Sequence, residues 1–207
     1  MRSQNTIFAS ALKIIANVFI VLGYGLLMLA CYNKYRTTAE INSLGLLLVN
    51  GMFVAMYVAR RDATNISQSP ALWVLAFAGT CLPLALRPTM ISPSWAGAGN
   101  TVQWLGMAAI VASILSLRRS FGIVPAHRGI RTQGLYNVVR HPLYASELVW
   151  MLGFAIANPS AWNIALWFLD CALQFSRACA EERFLGVDPV YSQYLARVKY
   201  RLVPLVI

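Results

Sequence analysis

The sequence predicts an all-α fold: a polytopic integral membrane protein with about six apolar helices, forming one membrane domain over residues 1–207. Three observations predict it. Of 207 residues, 58% are apolar and 12% charged, about half the charged share of a soluble domain. The apolar residues fall in long blocks, not in alternation. Most blocks reach the roughly 17–25 residues that a membrane crossing needs once their polar flanks are included. The formal charge of +10 belongs to this topology, because no basic stripe or recognition motif points to nucleic acid.

The first block runs from Ile7 to Cys31 and contains Lys13, which has to snorkel to the interface or pair. Met28-Leu29-Ala30-Cys31 fits a lipoprotein cleavage site poorly and further blocks follow at once, so this is read as a retained helix. Ile41–Ala59, Ala71–Leu86 and Thr101–Leu117 come next, closed by Arg60-Arg61-Asp62, Arg87-Pro88 and Arg118-Arg119. Pro83 predicts a kink in the third block. Trp73, Trp95 and Trp104 stand near block ends, where indole rings favour the interface. Together, residues 1–117 form the N-terminal transmembrane part.

Residues 118–207 form a second part with different chemistry. The polar, basic stretch 118–141 is long for a structureless connection, which suggests function. Leu143–Ala157 and Ala161–Ser176 follow, separated by Asn158-Pro159-Ser160. At 1.5 Å rise per residue the first of these reaches about 23 Å of a roughly 30 Å core. The two are therefore tilted spans or a helical hairpin within the bundle. A basic, amphipathic segment with Tyr191, Tyr194, Arg197, Lys199 and Arg201 closes the chain and is expected to seat on the anionic leaflet. The four cysteines lack metal-ligand spacing and read as buried thiols, and no metal is expected.

Six crossings put the N-terminus, the 60–70 loop, the 118–141 loop and the C-terminus on one side. Of the 17 Lys and Arg, only Lys34, Arg36 and Arg87 fall on the other. The positive-inside rule makes the richer side cytoplasmic.

That side carries Gly134-Leu135-Tyr136-Asn137-Val138-Val139-Arg140-His141-Pro142-Leu143-Tyr144. Pro142 suits the first turn of a helix, which places Arg140 and His141 at a helix N-terminus that favours an anion. Glu181-Glu182, further on, favours a cation or sugar hydroxyls. A ligand with both an anionic and a cationic end suits the combination. Glu147 and Asp170 lie within apolar sequence, where a carboxylate is costly. Glu147 contacts a ligand or pairs with an arginine, and Asp170 suits polar packing between helices. Arg177 and Glu181 have the spacing of a helical ion pair.

The run Ser120-Phe121-Gly122-Ile123-Val124-Pro125-Ala126-His127-Arg128, the Arg140-His141-Pro142-x-Tyr144 motif, Glu181-Glu182-Arg183 and the closing Tyr191-x-x-Tyr194-x-x-x-Val198 resemble the isoprenylcysteine carboxyl methyltransferase family. That family also takes in phospholipid N-methyltransferases. The likeness covers residues 118–204; Ser146, in place of a frequent Gly, and Gly186-Val187-Asp188-Pro189 depart from the pattern. The resemblance implies an integral membrane enzyme using S-adenosylmethionine in a cytoplasmic pocket. It implies a cofactor-binding role for the motif as a whole, within which the residues themselves suggest Tyr136, Arg140, His141, Pro142, Leu143, Tyr144, Glu181 and Glu182 as the contacts and Arg140 and Glu147, the latter as base for an amine acceptor, as catalytic candidates. The expected partner is a membrane lipid or lipidated small substrate, accepting methyl on a carboxylate or amine. The expected location is a bacterial inner membrane, with both termini cytoplasmic. Two alternatives remain: an NADPH-dependent membrane reductase of related fold, with Arg128 and Arg131 for the 2′-phosphate, and a non-enzymatic membrane scaffold.

Overall fold

The computed structural model describes residues 2–90 and 93–206, with side chains from residue 17 onward except residue 19. The Lys13 side chain lies outside the described residues. The described residues form seven α-helices, and the chain falls into two compact units, Met1–Ala59 and Arg60–Ile207.

The first unit is a helical hairpin of α1 (Arg2–Thr38) and α2 (Ile41–Ala59). Ala39, in the left-handed region at φ 52°, makes the turn, and Lys34 and Glu40 pair across it at 2.7 Å. The helices run antiparallel along a ladder of matched contacts. Asn50 reaches Cys31 at 3.9 Å, the Tyr24 and Phe53 rings stack at 5.5 Å, and the Tyr57 hydroxyl donates to Asn17 at 3.1 Å.

The second unit opens with β1 (Asn65–Ile66) and α3 (Pro70–Cys81). The expected kink at Pro83 takes the form of a 3-10 turn over Leu82–Ala85 that ends the α-helical run. The next helix, α4 (Ala96–Leu117), begins earlier than the hydropathy suggested, so Trp104 lies about two turns inside it; Trp95 caps it and Trp73 sits near the start of α3. Then come β2 (Ala126–His127), paired antiparallel with β1, followed by α5 (Pro142–Ala157), α6 (Ala161–Leu185) and α7 (Pro189–Arg197).

Among the described residues, α2 and the helix starting at Ala96 are long and apolar enough to cross a membrane, and Pro70–Ala85 and Pro142–Ala157 are shorter apolar helices. Large apolar side chains such as Leu105, Leu115, Phe168 and Leu169 face outward, as lipid-facing residues do. In hydrocarbon there is no hydrophobic force to hold helices together, so small residues that admit close backbone contact take that role. Here α4 and α5 use Gly106 and Gly153. A methyl group at Gly106 would stand 2.5 Å from the Trp150 nitrogen, and one at Gly153 would stand 2.4 Å from the Gln103 nitrogen. Ser113 and Ser146 share a hydrogen bond of 3.3 Å in the same interface.

A tight turn joins α5 to α6. The Ser160 hydroxyl accepts from the Asn163 nitrogen at 3.1 Å, and Asn163 Nδ2 donates to the Arg87 and Asn158 carbonyls at 2.8 and 2.7 Å. The apolar stretch of α6 ends near Ser176, but the helix continues through Ala-rich sequence to Leu185. It therefore carries Glu181 and Glu182 out to the end where α5 begins.

Candidate functional site

Pro142 is the first residue of α5 and His141 its N-cap, with non-helical backbone at φ −128° and ψ 63°. The C-terminal segment lies alongside: the Arg140 nitrogen donates to the Tyr200 carbonyl and the His141 nitrogen to the Arg201 carbonyl, each at 2.9 Å. The Arg140 side chain turns to the same segment. Its Nε donates to the Val198 carbonyl at 2.6 Å and its Nη2 to the Leu195 carbonyl at 2.9 Å.

Glu182 sits in the middle of this arrangement and is buried. Arg201 grips it bidentately at 3.0 and 2.8 Å, His141 Nε2 lies 3.2 Å from Oε1, and Arg140 Nη1 lies 3.4 Å from Oε2. Burial alone would raise the carboxyl, but the His141 and Arg201 hydrogen bonds outweigh it and hold Glu182 at about 2. Arg201 also rests over the Phe175 ring at 5.2 Å. The sequence-based expectation that Arg201 serves membrane seating is therefore corrected: its side chain closes the ion cluster behind α5. Of the segment's other cations, Arg197 reaches the Thr132 carbonyl at 3.5 Å and Lys199 is exposed.

Glu181 faces elsewhere. It accepts from the Tyr144 hydroxyl at 2.8 Å and lies 3.8 Å from His141 Nδ1, and the His141 and Tyr144 rings stack at 5.4 Å within 2° of parallel. These groups border a cavity of about 460 Å³, mouth included, whose lining includes Tyr136, Arg140, His141, Glu181, Arg128 and Arg131. An adjoining cavity of about 360 Å³ shares Tyr136, His141 and Glu181 and adds Leu143 and Tyr144. Tyr136 keeps its hydroxyl proton, because burial and then the charge of Glu181 push it well above the ordinary value. Its carbonyl accepts from the Tyr194 hydroxyl at 2.7 Å, which ties the loop to α7.

Of the residues singled out in the sequence, Tyr136, Arg140, His141 and Glu181 line the larger cavity and Leu143 and Tyr144 the smaller. Pro142 is buried at the helix start. Glu182 is absent from both linings and holds the cluster from behind. Glu147 lies one turn deeper on α5 and accepts from Gln174 Nε2 at 3.0 Å. Gln174 in turn accepts from Arg177 Nη1 at 2.9 Å. Asp170, fully buried on α6, has no hydrogen-bond partner on either oxygen.

Arg177 does not form the helical ion pair that its spacing to Glu181 suggested. Its side chain turns inward, lies over the Tyr144 ring at 4.6 Å and reaches the Ile123 carbonyl at 3.4 Å. With Tyr144 it borders a separate cavity of about 190 Å³ lined by Leu72, Leu75 and Ala76 of α3 and Ala180 of α6. An arginine this close to apolar sequence was the available signal of an inward role. His127 was also undervalued. Its Nε2 lies 2.6 Å from Asp188, which also accepts from the Val190 nitrogen at 2.7 Å as the N-cap of α7. Among the described residues no group of three or more His, Cys, Asp or Glu could hold a metal.

A helical scaffold with apolar helices long enough to cross a membrane and a polar cavity among its loops is that of an integral membrane protein. Residues 94–192 match the family model described as phospholipid methyltransferase. The fold is similar, with a TM-score of 0.56 and 17% identity, to that of the eukaryotic intramembrane Ras methyltransferase, isoprenylcysteine carboxyl methyltransferase; the match covers 99% of this chain and 86% of that one. A comparison with curated proteins gave no match. The resemblance carried by the Arg-His-Pro-x-Tyr and Glu-Glu motifs is thus supported by both the family match and the fold.

Proposed function

We propose that this chain transfers a methyl group from S-adenosylmethionine to a lipophilic acceptor embedded in the membrane, at the cytoplasmic face. The observation that carries the reading is the meeting of Arg140 and His141 with Glu181 on one cavity of about 460 Å³, mouth included. The residues present fit the cofactor. Glu181 offers a carboxylate to an amino group or ribose hydroxyls, the opposite wall is basic, and Tyr136 and Tyr191 offer ring faces to a base. S-adenosylmethionine, when bound, supplies an electrophilic methyl on a sulfonium.

The protein's part is alignment and exclusion of water, which contribute several kcal/mol in such a displacement. The Glu182 cluster fixes the His141 backbone and ring, and the stacked His141–Tyr144 pair presents Glu181. Tyr144 belongs both to the cofactor side and to the small cavity between α3 and α6. That cavity is the proposed entry for the acceptor from the bilayer, with Arg177 at its inner wall. An amine acceptor must first lose a proton; Glu147, linked to Arg177 through Gln174, is the proposed base. A carboxylate acceptor needs none. The cytoplasmic placement rests on the charge partition of the sequence.

Calorimetry on the detergent-purified chain with S-adenosylmethionine and, separately, NADPH tests the reading. Heat of binding with the first only is expected. Binding of NADPH alone would replace this proposal with the reductase, since Arg128 and Arg131 also line the cavity.

A further inference from the structure

One wall of the larger cavity is a strap of backbone between β2 and the 3-10 turn Gly134–Asn137. Residues 126–131 of this strap line the cavity in unbroken succession. Leu185 of α6 and Tyr191 and Tyr194 of α7 line the same cavity. The strap is bonded to its neighbours where it begins. There β2 pairs with β1, the Ser67 nitrogen donates to the Pro125 carbonyl at 3.0 Å, and the Ser120 hydroxyl donates to the Arg128 carbonyl at 3.1 Å. Beyond that point, among the described residues, no backbone N–H of residues 129–133 meets a backbone carbonyl. Gly129 at φ 88° and Gly134 at φ 64° bound this stretch, in the left-handed region that glycine enters without steric cost. A segment with so few backbone bonds opens more readily than the helices around it.

Side chains secure the strap to α7. The Thr64 hydroxyl, 3.3 Å from His127 Nδ1, orients the ring, and Nε2 meets Asp188 Oδ2 at 2.6 Å. Asp188 is the N-cap of α7, the helix that carries Tyr191 and Tyr194. Ile130 packs against those two tyrosines and Val198. The His127 and Asp188 side chains keep 31% and 23% exposure, so water takes over their hydrogen bonds when they part. The buried Glu182 cluster is different, because parting it would strand a charge. Asp188 also stands in residues 186–189, where the sequence departs from the pattern of the methyltransferases it resembles.

We propose that the His127–Asp188 bond is a latch on this strap, and that ligand enters and leaves the cavity when the latch parts. The structure holds the strap closed. Loops that close over a site exclude water from it and set the rate of release. The assignment rests on the proposed function only for the identity of the ligand, S-adenosylmethionine.

The test uses the full-length, detergent-purified chain carrying Ile130→Cys. It reads, by mass spectrometry, how fast a small water-soluble maleimide modifies position 130, with the native Cys179 of α6 as internal reference. Adding His127→Ala, or Asp188→Ser, which keeps a capping residue on α7, is expected to raise the rate at position 130 several-fold without ligand, as loss of a partly exposed ion pair does. The rate at Cys179 is expected to stay the same. No rise at position 130, or an equal rise at both positions, would overturn the latch. With S-adenosylhomocysteine bound, modification at position 130 is expected to slow, and His127→Ala is expected to release that ligand faster in stopped-flow measurements. A chain that binds neither S-adenosylmethionine nor S-adenosylhomocysteine, yet shows the ligand-free rise, keeps the strap and loses the functional reading. A chain that binds them, with position 130 and the release rate indifferent to His127→Ala, loses only the latch.

Discussion

Replacing Glu182 with Gln tests whether the Glu182 cluster is the structural keystone of the site. The carboxylate receives His141, Arg140 and both ends of the Arg201 fork, and Gln keeps the shape but removes the charge. Holding the carboxyl at about 2 instead of its ordinary 4.5 corresponds to roughly 3 kcal/mol of stability at neutral pH. Removing one partner from a buried ion cluster costs about 3–5 kcal/mol, so the two routes agree. For a chain of this length each kcal/mol moves the unfolding midpoint by roughly 2–4 °C, which gives an expected fall of about 6–20 °C. The sign of the pH effect follows from the lowered value. The contribution is whole above pH 4.5 and is lost as pH falls toward about 2. The parent midpoint should therefore drop below pH 4.5 more steeply than that of Glu182→Gln. Thermal unfolding in one detergent between pH 7 and pH 3 measures both. A variant as stable as the parent at pH 7, or an unchanged acid limb, would refute the keystone role.

Glu181→Gln should do the opposite: S-adenosylmethionine affinity falls about ten- to hundredfold while the unfolding midpoint hardly moves, read by calorimetry and thermal unfolding on the same sample. Arg201→Gln should lower the midpoint by several degrees and shift it at low pH as Glu182→Gln does, whereas Lys199→Gln should leave it unchanged. Gly106→Leu should disrupt α4–α5 packing, because even a methyl group meets Trp150 backbone at 2.5 Å; loss of folded protein from the membrane fraction reads it. Cysteine labelling with an impermeant external reagent should leave residues 62–68 and 122–132 shielded and residues 34–38 exposed, and strong external labelling at position 128 would reverse the proposed orientation.

Much of the helical architecture was legible because the hydrocarbon core forces long apolar runs into helices. Ile41–Ala59 matches α2 to the residue, and Pro142 starts α5 as a helix-first proline should. Helix ends that continue on ordinary propensity were less legible. Residues 96–100 of α4 and residues 177–185 of α6 carry no long apolar run, yet both are helical. The contact between β1 and β2 was also invisible, since two residues in each strand carry no period.

In the site, the sequence did not show which of its charged residues pair with one another. Arg140, His141 and Glu181-Glu182 were read as two halves that a ligand would bridge, because opposite charges distant in sequence give no hint of touching each other. The folded chain brings them together, and Arg201, which looked like a surface charge, completes the set. Helix geometry separates the two glutamates. Neighbours on an α-helix point roughly 100° apart, at 3.6 residues per turn, so Glu181 and Glu182 cannot both face one ligand squarely. One of them has to look toward the cavity and the other toward whatever packs on the next face of α6. The C-terminal segment packs there and supplies Arg201, so Glu182 becomes an internal counter-ion and Glu181 is left facing the cavity.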